Sequence, residues 1–392
     1  MSYELRRARV WASVGYVLQG LFGSVVLTNL PGLQSRTGIG DTEVSLIMLV
    51  VLLVAAGGSL LAGWIAPRRG SAAVLVPAFV LQGAAVLLAI LPLPFGWLFP
   101  VFAVFGLGIG LGDAGNGMQG LVIQRAYGRS IINAFFACTT GAAIFGALLV
   151  SGVAALNLRF EVGLAVAGIV GLTLVSGMRG KLAADPESTA TASGADAVAK
   201  VPIPRRGLLV FGLVVAAVFV GDGVVSAWSS VHLESTLFAA AWLVPLGYAA
   251  YQGCVLLARL TGDRFVMLLG RVPVVAVATV VAGVGLLGAA FAPLPWLAVV
   301  GFAVCGAGLG VLVPVSFTAA SDLAPERTDE IVARLNIANY VGMLVGSAAT
   351  GIVADALSLP IALAIPAVLV LASLAAVPAF RVRPRESVRP GV

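Results

Sequence analysis

Apolar stretches of roughly 20 residues, separated by short polar segments, follow one another along almost the whole chain. About 20 residues of helix, each rising 1.5 Å, cross the roughly 30 Å of hydrocarbon in a bilayer. The backbone inside hydrocarbon must hydrogen-bond to itself, so each stretch is expected to be a helix. The pattern predicts an all-α integral membrane protein with twelve transmembrane helices. The predicted spans are residues 10–30, 44–65, 71–91, 97–122, 130–154, 160–178, 207–230, 237–259, 272–292, 296–320, 330–354 and 358–379.

Composition supports this interpretation. Of the 392 residues, 60% are hydrophobic and only 10% are charged. A soluble domain has about 25% charged residues, which it needs to cover its surface. The mean hydropathy is +1.07. The chain therefore has too few charged residues to be a soluble globular protein.

The net charge of +6 is distributed unevenly between the two sides of the predicted bundle. With an even number of spans and both termini in the cytoplasm, 21 of the 23 Lys and Arg residues face the cytoplasm. Arg36 and Arg159 are the two exceptions. This bias follows the positive-inside rule and predicts a multi-pass protein of the inner membrane. It also explains the charge without nucleic-acid binding.

The sequence offers little material for catalysis. Its three cysteines, Cys138, Cys254 and Cys305, lie inside predicted spans, and His232 is its single histidine. A metal site needs a cluster of such ligands, and an active site needs a nucleophile with a base. We therefore expect no metal, no cofactor and no enzymatic activity.

A small polar segment divides the chain into two related halves. Residues 179–206 are predicted to form a cytoplasmic linker between six-helix bundles at 1–178 and 207–380, with a cytoplasmic tail at 381–392. The sequence FAVFGLGIG at 102–110 recurs as FAVCGAGLG at 302–310, and Gly146 and Gly346 keep the same offset of 200. Two six-helix halves related by a parallel repeat are the arrangement of major facilitator transporters.

The cytoplasmic loops carry a motif at the equivalent place in each half. The segment from Gly63 to Gly70, which includes Arg68, follows the second span, and Asp263 and Arg264 follow the eighth. Both loops resemble the G-x-x-x-D-R-x-G-R gate motif of the major facilitator superfamily. The first copy departs from it, since Pro67 stands where the family has an acid.

Four further stretches resemble a narrower branch of that superfamily, the MosC/YbjJ-like proteins. The branch has a further acid before the tryptophan of its seventh span, where this chain has Ala227. It also has a basic residue where this chain has Asn29. The resemblance implies the fold and a transport function. The stretches are Thr28–Gly40, Gly112–Arg129, Asp222–Ser229 and Ala333–Tyr340.

Two acids lie deep inside predicted spans. Asp113 is about 18 Å of helix from Arg125, and Asp222 is about 22 Å from Gly207. Neither has a Lys or Arg at similar depth, and burial without a basic partner favours the protonated carboxyl. Acids in membrane helices usually face a cavity or a partner. The resemblance places them on the fourth and seventh spans, which line the central cavity in the superfamily. They are candidates for proton coupling or substrate binding, or they fix helix packing.

Several other polar side chains share these spans and are candidates of a second rank. Isolated amides in membrane helices often hold neighbouring helices together, so a structural role is an equal alternative for each. We expect His232 at the membrane interface or in an external loop. The second-rank candidates are Asn116, Gln119, Trp228, Gln19, Asn336 and Asn339.

These features favour a secondary active transporter working by alternating access, with protons as the coupling ion. The lack of embedded Lys or Arg argues against anionic substrates and favours neutral or cationic organic solutes, in efflux or in sugar- or polyol-like uptake. The expected partners are this solute, protons and the lipid bilayer, and the expected state is a monomer. The alternative is a membrane sensor, or a non-transporting partner protein, that retains the transporter fold.

Overall fold

The computed structural model describes residues 3–127, 131–183, 203–324 and 327–381, and this part of the chain is almost entirely helical. Twelve long helices follow one another, and a short helix, Leu30–Thr37, follows the first. Helix α7 continues into a π-helical turn at His232–Thr236, and α11 includes one at Val345–Ala349. The helices are α1 Tyr3–Thr28, α2 Asp41–Arg69, α3 Ala72–Leu88, α4 Phe95–Tyr127, α5 Ile132–Ala155, α6 Glu161–Met178, α7 Arg205–Val231, α8 Leu246–Leu269, α9 Arg271–Ala290, α10 Pro295–Ser321, α11 Thr328–Ala356 and α12 Leu359–Phe380.

The predicted all-α fold with twelve helices is confirmed. Ten of these helices are long and apolar enough to cross a membrane. Helix α3 is shorter, with 17 residues, and α8 carries several polar and charged side chains. The domain boundaries stay predictions, because most of the linker at 179–206 and of the tail at 381–392 lies outside the described residues.

The eighth predicted span differs most from the structure. It was expected at 237–259, but α8 runs from Leu246 to Leu269. Turns occupy the preceding residues, and Phe238 adopts a left-handed backbone with φ of 48°. Pro245 directly precedes the helix, and proline is tolerated there because its missing N–H would have no partner in the helix. Apolarity alone did not reveal this start.

The glycines of α4 and α10 make the same contacts in the two halves. A Cβ on Gly106 would lie 2.4 Å from the carbonyl oxygen of Val51 on α2. A Cβ on Gly306 would lie 2.4 Å from the carbonyl oxygen of Tyr251 on α8. Small residues allow membrane helices to approach closely. Since Val51 and Tyr251 are also 200 residues apart, the offset seen in the sequence holds for the helix contacts.

The two halves also end their second helices in the same way. Gly70 caps α2 with φ of 81°, and Gly270 caps α8 with φ of 85°. Each donates its N–H to a carbonyl one turn earlier, on Ala66 and Val266 respectively. A positive φ suits glycine because it has no Cβ. We call the end of the bundle that carries these loops and their arginines the basic end.

At the opposite end the halves are joined by α2 and α11. The backbone N–H of Thr42, in the first turn of α2, donates to Asp355 Oδ2 on α11 at 2.8 Å. The carboxylate also lies at the positive end of the α2 dipole. A Cβ on Gly351 would lie 2.1 Å from Ser45 Oγ and 2.4 Å from the carbonyl oxygen of Asp41. The two helices are therefore in close contact here.

A second junction at this end joins α5 to the segment before α8. The hydroxyl of Ser151 donates to the carbonyl oxygen of Trp242. The halves are thus connected on two sides of the bundle, at the end away from the basic loops.

Candidate functional site

A cavity of about 320 Å³ lies between the two halves at mid-depth. Five helices line it: α1, α2 and α4 from the first half, and α7 and α11 from the second. Most lining side chains are aliphatic. Among the described lining residues, Asp113 is the one acid, and none is Lys or Arg. A volume of this size accommodates a small organic molecule.

Asp113 is held in the cavity wall by a chain of amides. Gln19 Nε2 on α1 donates to Asp113 Oδ1 at 2.8 Å. Gln82 Nε2 on α3 donates to Gln19 Oε1 at 3.2 Å and to the carbonyl oxygen of Gly108 at 2.9 Å. A Cβ on Gly112 would lie 2.6 Å from Gln19 Oε1, so glycine provides the space for this amide. Gln19 therefore acts through Asp113 and fixes its orientation.

Asp222 has a different environment. It is half-buried on α7 and accepts a hydrogen bond from the hydroxyl of Tyr251 on α8. It is not among the residues that line the cavity, whereas its neighbours Gly223, Ser226 and Ala227 are. Each predicted acid thus accepts a hydrogen bond from an uncharged side chain, and Asp113 is the one that faces the cavity.

Comparisons with known proteins agree with this architecture. A model of the Major Facilitator Superfamily matches residues 243–391. An uncharacterised MFS-type transporter of Yersinia pestis is 27% identical over 368 residues, which is 93% of each chain. The membrane protein MosC of Rhizobium meliloti is 26% identical over 349 residues, covering 88% of this chain and 83% of MosC. The chain is thus similar to transporters of the major facilitator superfamily over most of its length, and to the family model in its second half.

Solved structures show the same fold. A variant of the nucleoside transporter NupG has a TM-score of 0.77 at 14% identity, covering 95% of this chain and 99% of that one. A bacterial homologue of the human lysosomal transporter Spinster, in an inward-facing and occupied conformation, has a TM-score of 0.72 at 12% identity, covering 97% of each chain. The chain thus shares its fold with these two membrane transporters.

Two of the second-rank candidates lie in packing positions. Asn116 is buried on α4, and its Oδ1 would lie 2.6 Å from a Cβ on Gly15 of α1. Trp228 is fully buried and donates its Nε1–H to the carbonyl oxygen of Ser347 at 2.8 Å. Neither lines the cavity. Their proposed roles in binding stay predictions, but their contacts are those of residues that hold helices together.

Gln119 makes an unexpected contact with the beginning of the linker. Its Nε2 donates to Ser71 Oγ at 2.7 Å and to the carbonyl oxygen of Ala183 at 2.9 Å. The N–H of Ala183 donates back to Gln119 Oε1 at 3.2 Å. This side chain therefore ties the chain after α6 to the basic end of α4.

On α11, Asn336 and Asn339 are half-buried and lie outside the cavity lining. The neighbouring Tyr340 does line it. Tyr340, Tyr251 and Gln82 were not predicted as site residues. Gln82 could have been found as a lone amide in a strongly apolar span. The two tyrosines gave no such signal, because aromatic residues are common in packed spans.

The gate-motif residues lie at the basic end. Arg68 donates to the carbonyl oxygen of Trp64 at 2.6 Å, with its guanidinium 4.5 Å from that ring's centroid. Gly63 is exposed, as are Asp263 and Arg264, for which the described residues show no ion pair. Arg271, at the start of α9, instead pairs with Asp322, which directly follows α10. In the first half, Ser71 stands at the position equivalent to Arg271.

His232 lies in the helical turn at the end of α7 and not in an external loop. Its side chain is fully buried in the second half, and its expected place at the membrane interface stays a prediction. Its Nε2 lies 3.1 Å from the carbonyl oxygen of Ala289, and its ring packs edge-on against Phe302. Its position near the end of a span concealed a packing role.

Proposed function

We propose that this chain is a secondary active transporter that moves a small neutral or cationic organic solute across the inner membrane by alternating access. The observation that carries the proposal is the cavity between the halves with the Asp113 carboxyl in its wall. Carboxyl groups inside membrane helices are typical of proton relays and substrate sites. Protons are therefore the proposed coupling ion, and both efflux and uptake are compatible with this site.

Alternating access requires that the halves close at one end while they separate at the other. The contacts of α2 with α11 and of α5 with α8 support a closed end opposite the basic end. With both termini in the cytoplasm, as the positive-inside rule favours, this arrangement corresponds to an inward-facing state. The inward-facing Spinster homologue has a similar fold, which agrees with this proposal.

The proposed coupling is tested with purified protein in proteoliposomes. A thermal-shift screen at two pH values first finds a solute that stabilises the protein. Uptake or release of that solute is then measured with and without an imposed pH gradient. We expect the pH gradient to change the transport rate of the wild type. In Asp113→Asn this change is expected to be at least about tenfold smaller, since Asn cannot carry the proton.

Asp222→Asn is the matched variant in the other half. Because Asp222 lies beside the cavity lining, we expect a smaller loss than for Asp113→Asn. Gradient dependence retained in both variants would overturn the coupling assignment. Binding of the solute without any counterflow would favour the alternative of a membrane sensor with this fold.

A further inference from the structure

The polar groups of the cavity are few and unevenly placed. Among the described lining residues, five have polar side chains, and the rest are aliphatic, aromatic, glycine or methionine. The hydroxyl of Ser347 is already donated to the carbonyl oxygen of Met343 at 2.7 Å. A sugar, polyol or nucleoside loses water from many hydroxyl groups on entry and needs a partner for each. This cavity has too few such partners. The five are Ser59, Asp113, Ser226, Tyr340 and Ser347.

The one carboxyl is oriented for a ligand rather than for a helix contact. Gln19 occupies Oδ1 of Asp113, and Gln82 in turn fixes Gln19. The side chain of Asp113 is exposed to the cavity, and the described residues offer no hydrogen bond to Oδ2. A carboxylate oriented by its neighbours binds a cation without first paying to order itself.

An aromatic ring from the other half completes the site. Tyr340 of α11 is 53% exposed and lines the same cavity. Asp113 on α4 and Tyr340 on α11 thus face the same cavity from the two halves. A cation over an aromatic face is attracted by the ring, and more strongly in a desolvated site. Met48 and Met343 add soft, adaptable apolar surface.

We propose that the substrate is an organic monocation with a largely apolar body, whose charged nitrogen binds between the carboxyl of Asp113 and the ring of Tyr340. That this cation is transported rests on the proposed function, whereas its binding does not. The inference narrows the proposed substrate from neutral or cationic solutes to organic cations. The cavity of about 320 Å³ equals roughly ten water molecules at ~30 Å³ each. Quaternary ammonium compounds and alkylamines fit within this volume.

The experiment compares a cation with its neutral isostere. Choline and 3,3-dimethylbutan-1-ol have nearly the same shape and differ in the charge of one atom. Binding to the purified full-length protein is measured by isothermal titration, with glucose as the polyhydroxylated probe. We expect saturable binding of choline, at least about tenfold weaker binding of the isostere, and no binding of glucose. Equal affinity for choline and its isostere, or tighter binding of glucose, would overturn the inference.

Variants separate the charge from the ring. Asp113→Asn is expected to abolish the preference for choline over its isostere. Thermal unfolding is expected to show that this variant remains folded. Tyr340→Phe keeps the ring and should bind choline within about twofold of the wild type, whereas Tyr340→Leu should lose about fivefold. Glu4→Gln removes an exposed acid far from the cavity and serves as the control. An unchanged charge preference in Asp113→Asn would contradict the assignment.

Failure of this inference is distinguishable from failure of the proposed function. Choline binding without counterflow in proteoliposomes would contradict transport and leave the cation site intact. Counterflow of a neutral solute with no preference for cations would leave transport intact and overturn the cation site.

Discussion

Asp113 and Asp222 occupy the fourth and seventh long helices, and their surroundings differ in a way that their sequence positions do not show. Asp113 receives an amide N–H from Gln19 and is exposed to the cavity. Asp222 receives the hydroxyl of Tyr251 and is half-buried beside it. By contrast, the glycines of α4 and α10 contact equivalent positions in the two halves. The helix packing is thus equivalent in kind, whereas the side chains in and around the cavity differ.

The shared glycine packing gives the largest expected effect. A Cβ on Gly110 would lie 1.8 Å from the carbonyl oxygen of Ala55, whereas one on Gly310 would lie 2.8 Å from that of Val255. We expect Gly110→Ala to lower the free energy of unfolding by about 3 kcal/mol, and Gly310→Ala by about 1 kcal/mol, because overpacking grows with overlap. Thermal unfolding of the purified protein measures both.

Gly117 is the control on the same helix, since no heavy atom lies within 4 Å of the position its Cβ would take. Gly117→Ala is expected to raise stability by up to about 1 kcal/mol, because alanine favours helix. Equal losses at Gly110 and Gly310 would show that the two halves pack more similarly than these contacts indicate.

Removing the hydrogen bonds to the two acids is expected to give the next largest loss in the free energy of unfolding. Tyr251→Phe removes the donor to the half-buried Asp222, and we expect a loss of about 2 kcal/mol. Gln19→Leu removes the donor to Asp113, but water in the cavity can replace it, so about 0.5 kcal/mol is expected. The two melting temperatures provide the comparison. A larger loss of stability in Gln19→Leu than in Tyr251→Phe would indicate that Asp113, and not Asp222, is the less water-accessible acid.

Disturbing the junction between α2 and α11 is expected to change the distance between the two halves. Gly351→Ala places a Cβ against Ser45 and Asp41 at the end opposite the basic loops, so we expect the halves to separate there. Spin labels at Ser35→Cys and Leu357→Cys, with the three native cysteines replaced by alanine, report the distance between the halves. We expect a longer distance in Gly351→Ala. An unchanged distribution would show that α2 and α11 tolerate the methyl group.

The glycine caps at Gly70 and Gly270 test how similar the two halves are, since the expected difference between the two variants is small. Gly70→Ala and Gly270→Ala each place a Cβ at φ above 80°. Each is expected to cost about 1 kcal/mol, because alanine is strained there. The two losses should agree within about 0.5 kcal/mol, as measured by thermal unfolding. A clear difference would mean that one loop relaxes where the other does not.

The features that the sequence predicted correctly are those set by simple local requirements, namely helix length and close helix packing. Hydrocarbon demands helices about 20 residues long, so the twelve helices followed from apolar length. The offset of 200 appeared in the glycines because close helix approach tolerates no side chain. The start of α8 was missed because α8 is less apolar than its neighbours and the apolar stretch before it is not helical.

What the sequence by itself determined is therefore the fold, the resemblance to the major facilitator superfamily and the two acids inside the membrane helices. Only the tertiary structure decided that Asp113 faces the cavity while Asp222 is turned to Tyr251, and that Gln119 binds Ala183 and Trp228 binds Ser347. The physical reason is that these helices are apolar on all sides, so periodicity does not mark the inward face. The rotation and tilt of each helix are set by packing against its neighbours.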